Sequence, residues 1–129
     1  FIKKLVRETK KITPRSAKNK GASLQKYVRD EISKYSGIPR GEGDEALIAS
    51  RPMGQNGVDV ILRGEARKAF PFAIECKNTE TFSIWKVVEQ AKANLKGFQH
   101  WLIVHKKNGE KPVIVMSFED FMKIYFKKT

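Results

Sequence analysis

Hydrophobic positions along the chain follow two different periods, which predicts a mixture of helices and strands. Apolar residues of 22–36 recur every three or four positions, as in an amphipathic helix. The same spacing predicts helices over 83–96 and 118–127. Short apolar runs bounded by glycine, proline or polar residues instead predict strands, and they occur at 46–50, 58–62, 72–77, 101–105 and 113–116.

The order of these elements predicts an α/β fold. One helix is followed by three strands, a second main helix, two more strands and a last helix. The strand, helix and strand of 72–105 form a crossover unit, while the turn at Asn108-Gly109 favours a hairpin. We therefore expect an α/β/α sandwich with a central mixed five-stranded sheet flanked by helices.

Length and composition indicate one folded domain. The chain has 129 residues and is 40% hydrophobic, which is enough for a single core. We expect a basic lead-in over 1–20, with Pro14 as a breaker, and one domain over 21–129. No apolar run has the length of a membrane span, and no signal peptide is visible. The single Cys76 fits a reducing compartment, so we expect a cytoplasmic location.

The charge balance indicates a polyanionic partner. The chain has 26 lysine and arginine residues against 14 acids, a net charge of +12. Such a surface attracts nucleic acid above all. Residues 1–20 hold eight of the basic residues and the single acid Glu8. This segment is either a solvated tail or an arm that follows a phosphate backbone.

The candidate chemistry lies on two strands. Side chains alternate along 72–77, so Glu75 and Lys77 share one face at the end of an apolar strand. Asp59 lies in the preceding apolar run, and adjacent strands would bring it beside Glu75. Charged groups in such surroundings are costly unless they are paired or bind an ion. The set suits a magnesium ion and a water, hence phosphodiester hydrolysis; a structural ion pair is the alternative.

Each of these groups has an expected role. Asp59 and Glu75 supply carboxylate ligands for Mg²⁺, with Mn²⁺ as the expected substitute. The backbone carbonyl of Cys76 is a possible third oxygen ligand. Lys77 is expected to hold or polarise the attacking water, or to stabilise developing charge on the phosphate.

This pattern resembles a known nuclease signature. Asp59 on one strand and Glu75-Cys76-Lys77 on the next are similar to the motif of the PD-(D/E)XK nuclease superfamily. The flanking sequence resembles its phage-encoded and Holliday-junction-resolvase-like branch, in residues 53–60, 70–78 and 89–91. The resemblance covers most of the chain, from about residue 20 to about residue 105.

The resemblance implies a restriction-endonuclease-like fold and a magnesium-dependent DNA endonuclease. It identifies Asp59 and Glu75 as metal ligands and Lys77 as the catalytic lysine. The implied substrate is branched or otherwise structured DNA, cut by a homodimer inside a bacterial or archaeal cell or by a phage-encoded enzyme.

Two further positions follow from the family pattern. The helix after the second motif strand often carries a glutamine that faces the site, and Gln90 is the matching residue. Resolvases usually carry a glutamate ligand on the first helix, where this chain has Gln25. Glu31 is a rival, because it falls on nearly the same helical face as the apolar residues Leu24 and Val28.

Other functions remain open on this evidence. The same fold serves restriction, repair and single-strand nucleases, and a catalytically silent nucleic-acid-binding module would keep the fold without the reaction. A basic RNA- or ribosome-associated protein would explain the charge but not Glu75 and Lys77. Arg51 either contacts a phosphate or supports the turn before Asp59, where Gly54 and Gly57 permit a tight bend.

Overall fold

Five strands form one mixed sheet whose spatial order follows the order of the chain. The computed structural model describes residues 13–127. Its strands are β1 (Ile48–Ser50), β2 (Val60–Leu62), β3 (Phe72–Asn78), β4 (His100–Lys106) and β5 (Val113–Met116). Its α-helices are α1 (Pro14–Ser36), α2 (Gly64–Ala69), α3 (Ile84–Ala93) and α4 (Phe118–Tyr125), with a short 3₁₀ helix at Gly43–Glu45.

The predicted α/β class and the mixed five-stranded sheet are confirmed. β3 and β4 run parallel, with Phe72 opposite His100 and Asn78 opposite Lys106. The other neighbouring strands pair antiparallel. The parallel pair follows from the crossover through α3, because parallel neighbours need a long connection.

The first helix begins earlier than the sequence predicted. It starts at Pro14 instead of residue 22, so Pro14 begins the helix where a breaker was expected. Proline suits the first helical turn, whose N–H groups have no intrahelical partner. The hydroxyl of Thr13 caps this turn by accepting the N–H of Ser16 at 3.1 Å. The remainder of the predicted basic lead-in, residues 1–12, lies outside the described residues.

Helices cover the two faces of the sheet. On one face, α1 packs Leu24 and Val28 against a core that includes Val60, Ile74 and Leu102. On the other face, α3 packs three buried residues against Ile103, namely Val87, Val88 and Ala91. The two faces are called the α1 face and the α3 face below. Among the described helices, none is long and apolar enough to cross a membrane.

Candidate active site

Asp59 lies just before β2, where three hydrogen bonds hold it, two through its backbone and one through its side chain. Its N–H donates to the carbonyl of Ile74 at 2.8 Å, and its own carbonyl accepts the N–H of Arg51 at 2.9 Å. Its carboxylate accepts the N–H of Cys76 at 2.7 Å. The side chain therefore replaces a ladder acceptor between the two strands, which explains why β2 starts at Val60 instead of the predicted residue 58.

Glu75 lies on β3 with its side chain on the α3 face. Glutamate is rarely buried, yet Glu75 is only 2% exposed. The side-chain amide of Asn94 donates a 2.5 Å hydrogen bond to its Oε1 atom. Asn94 is in position because α3 ends at Ala93, which makes Asn94 the C-terminal cap of the helix.

The structure brings the carboxyl groups of Asp59 and Glu75 within hydrogen-bonding reach of each other. Burial raises the pKa of Glu75 to about 7; the hydrogen bond from Asn94 opposes the rise, and the charge of Asp59 adds to it. Burial also raises the pKa of Asp59, against the lowering effect of the Cys76 N–H. Two acids in this arrangement share a proton unless a cation lies between them.

Two cationic side chains lie near this pair. The half-buried Lys77 is close enough to attract both carboxylates, and Arg51 attracts Asp59. Arg51 is held by a 2.5 Å hydrogen bond from its Nε to the carbonyl of Val58. Its guanidinium also packs against Gly57, where a Cβ atom would lie 3.0 Å from it. Arg51 therefore supports the turn and contributes positive charge to the site.

The donor set fits a hard divalent cation. In an extended strand, the N–H and C=O of one residue point to the same side, so the Cys76 carbonyl faces the side of Asp59. Two carboxylates and a carbonyl are oxygen ligands of the kind that Mg²⁺ prefers. No cluster of three or more His, Cys, Asp or Glu side chains occurs in residues 13–127. A cation here would thus rely on the Asp59–Glu75 pair, backbone and water.

No protein-family model, curated protein or solved structure matches this chain. The chemistry of its own residues is therefore the basis for a functional proposal. Fold resemblance by itself would not be sufficient, because one fold hosts many functions.

The two candidates on α1 have different surroundings. Gln25 is buried, at 6% exposure, but no hydrogen bond joins it to Asp59 or Glu75 in the described part of the chain. Glu31 lies about 9 Å further along the helix. It borders a groove with Phe70 on the α1 face, whereas Glu75 points to the α3 face. The structure therefore does not bring Glu31 to the carboxylate pair.

The helix after β3 reaches the site through a residue that the sequence did not single out. Gln90 is exposed, and the contact with Glu75 comes from Asn94, one helical turn later. The sequence did contain a signal for Asn94: it is a second side-chain amide four residues after Gln90, hence on the same side of the helix. Asn94 was not recognised because the helix was predicted to continue to residue 96, which placed Asn94 inside the helix instead of at its end.

Proposed function

We propose that this chain is a metal-dependent DNA endonuclease with a restriction-endonuclease-like α/β/α fold of the PD-(D/E)XK type. The observation that supports this most is the closeness of the buried Glu75 carboxyl group to the half-buried Asp59 carboxyl group, with Lys77 next to them. Placing two acids together in a largely buried site is costly even with Lys77 and Arg51 nearby, so a function explains their presence better than packing does.

The metal in this proposal is Mg²⁺, for which Mn²⁺ can substitute. Asp59, Glu75 and the carbonyl of Cys76 would hold it. The bound ion supplies charge neutralisation on the phosphate and lowers the pKa of a coordinated water.

Other side chains position the reaction. The ammonium of Lys77 holds the attacking water or offsets the negative charge that develops on the phosphate. The amide of Asn94 keeps the Glu75 carboxylate oriented, as outer hydrogen bonds do at metal sites. Arg51 adds a second positive charge beside Asp59, where it attracts a phosphate.

The proposed substrate is DNA. A net charge of +12 favours binding to the phosphate backbone independently of sequence. The preference for branched DNA, the homodimer and the location inside a cell derive from the family resemblance, and they stay predictions.

A cleavage assay on three DNA forms tests the proposal. A four-way junction, a linear duplex and a single strand of matched sequence are incubated with Mg²⁺, Mn²⁺ or EDTA. We expect Mg²⁺- and Mn²⁺-dependent cleavage, strongest on the junction. Cleavage confined to the duplex or the single strand would instead indicate a restriction, repair or single-strand nuclease.

A pair of isosteric variants provides the control. Asp59→Asn should abolish cleavage, while Asp44→Asn, at an exposed position in the 3₁₀ helix, should leave it unchanged. Cleavage that persists in the Asp59→Asn protein would contradict the proposal. DNA binding without any cleavage by the wild type would support a silent binding module.

A further inference from the structure

The last helix presents an apolar side that nothing in residues 13–127 covers. Phe118, Phe121 and Tyr125 follow one another at spacings of three and four, and they are 77%, 45% and 67% exposed. Phe121 stacks on Tyr125 with ring centroids 5.9 Å apart. Glu119 and Lys123 pair on the other side of the helix. The apolar spacing predicted this helix, and α4 has no buried residue.

The sheet contains an apolar groove with no helix in it. On the α1 face, α1 packs mainly on β1, β2 and β3 and shares a core with Leu102 and Val104 of β4, but it leaves β5 largely uncovered. The groove beside it has a volume of about 650 Å³. Aromatic and aliphatic residues line it, among them Tyr27, Tyr35, Phe70, Leu102 and Ile114. Tyr35 is 80% exposed and Ile114 is 57% exposed.

We propose that a second copy of this chain covers both surfaces, with α4 of each copy lying in the groove between α1 and β5 of the other. The reason is that the described chain has both an exposed amphipathic helix, α4, and an apolar groove that no helix fills. An amphipathic helix in a hydrophobic groove is a common mode of recognition. The resemblance already predicts a homodimer; the new inference is which two surfaces form it, and it rests on the exposure of α4 and the groove, not on the nuclease chemistry.

The position of β5 makes the exchange geometrically simple. β5 is an edge strand of the sheet, it borders the groove through Ile114, and it leads directly into α4. A two-fold axis beside β5 therefore places each α4 near the groove of the partner. A closed two-fold arrangement is also the commonest form of protein oligomer.

The exposed apolar area agrees with a dimer of ordinary size. The exposed side chains of α4 and of Phe126 amount to about 600 Å², taking about 200 Å² for a whole side chain of this size. The exposed groove residues add about 400 Å². The α4 surface alone, at about 600 Å², equals the upper end of the largest patch on a typical monomer, about 300–600 Å². The two surfaces together amount to about 1,000 Å² per copy. This sum is comparable with the roughly 800 Å² per partner of a stable interface.

Sedimentation velocity and light scattering of the full chain test the dimer. We expect the wild type to dimerise at micromolar concentration. Phe118→Asp, on the helix, and Tyr35→Asp, in the groove, should each weaken dimerisation at least about tenfold. Aspartate suits the first turn of a helix, so the Phe118 variant should keep its circular dichroism spectrum. Trp85→Asp is the matched control, because Trp85 is 73% exposed on α3, and it should leave the dimer unchanged.

Cysteine pairing tests the exchange itself. A Phe118→Cys chain is mixed with a Tyr27→Cys or a Tyr35→Cys chain, refolded together and oxidised. Cys76 does not compete, since it is buried and its pKa is raised by that burial. We expect a disulfide between the two different chains with at least one groove position.

Three results would overturn the proposal. A monomeric wild type would show that the two surfaces have another occupant. A disulfide of Phe118→Cys with itself, and none with the groove, would show that the helices pack on each other. Open-ended assemblies would exclude the two-fold exchange. Loss of cleavage in a variant that still dimerises would concern the nuclease proposal alone.

Discussion

The side-chain amide of Asn94 donates a 2.5 Å hydrogen bond to the carboxylate of the buried Glu75. This contact joins the end of α3 to the middle of the central strand, and it favours the charged form of the acid. Glu75 must be charged to bind a cation, so Asn94 is expected to support metal binding without touching the metal.

Replacing Asn94 by alanine should therefore weaken Mg²⁺ binding. We expect the Mg²⁺ concentration needed for half-maximal cleavage to rise by about tenfold or more, because outer hydrogen bonds at metal sites have effects of this size. The measurement is a cleavage rate as a function of Mg²⁺. The matched variant is Gln90→Ala, one turn earlier on the same helix. A larger effect from Gln90→Ala would identify Gln90 as the residue that acts on the site.

The metal-free protein should lose stability as the pH rises. The pKa of Glu75 is about 7 in the folded protein and 4.5 as an ordinary value, so the folded state binds more protons between these two values. Stability is therefore greatest at the acidic end of this range, falls by about 3 kcal/mol as the pH rises from about 4.5 to 7, and levels off above 7. The raised pKa of Asp59 acts in the same direction.

Urea unfolding in EDTA between pH 5 and pH 8.5 measures this dependence. Glu75→Gln should flatten the curve, since the amide has no proton to lose. Saturating Mg²⁺ should restore stability at high pH, because it binds the folded state. A metal-free protein that is more stable at pH 8.5 than at pH 5 would contradict the assignment.

Replacing Lys77 by alanine should remove cleavage and preserve binding. We expect the rate to fall by about two orders of magnitude or more, because a positioned charge at the reacting phosphate is lost. Single-turnover cleavage and gel-shift titration separate the two effects. Lys86→Ala, an exposed lysine on α3, is the control with the same change of charge. Unchanged cleavage by Lys77→Ala would remove this residue from the mechanism.

The Lys77→Ala protein also allows DNA affinity to be measured without cleavage. Affinity should fall by about a hundredfold or more between roughly 50 and 200 mM salt, because phosphate contacts release counterions. The result should be similar for DNA of different sequences. An affinity insensitive to salt would show that the charge of +12 does not drive binding.

Replacing Gly57 by alanine should disturb the site through the backbone. Gly57 has a φ of 115°, and an added Cβ atom would lie 3.0 Å from the guanidinium of Arg51. We expect a loss of about 1–3 kcal/mol from strain, together with displacement of Arg51 and lower cleavage. Gly54→Ala is the comparison, with a φ of 89° and no atom near the added group. Equal cleavage in the two variants would show that the position of Arg51 is unimportant.

The strands of the sheet could be predicted well because each is indicated by a short apolar run in the sequence. Apolar runs define the strands, and the helix between β3 and β4 requires the parallel pair. The start of α1 was wrong because proline both ends and begins helices, and the choice depends on the cap at Thr13. The last helix was predicted from its apolar spacing, but the sequence could not show that the described fold leaves its apolar side exposed.

The candidate site was predicted in its main residues and not in its supporting ones. Alternation along β3 is sufficient to place Glu75 and Lys77 on one face. The contact from Asn94 depends on where α3 ends, which periodicity defines within a few residues at best. The place of Glu31 depends on which face of the sheet α1 covers, and a one-dimensional pattern does not contain that information.

The strands of the sheet are not all paired over the same length, and the candidate site lies between β2 and β3, which share the fewest residue pairs. Within the described chain, β2 and β3 share the single register pair Val60–Ile74, supported by the hydrogen bonds of Asp59 to Ile74 and Cys76, whereas β3 and β4 are matched along their whole length. Amide hydrogens of β1 and β2 should accordingly exchange with solvent faster than those of β4. The arrangement of Asp59 and Glu75 would then be lost by local opening of β1 and β2, at temperatures where the remaining sheet is intact. A ligand that binds both carboxylates would oppose this opening, because it would hold the two strands together.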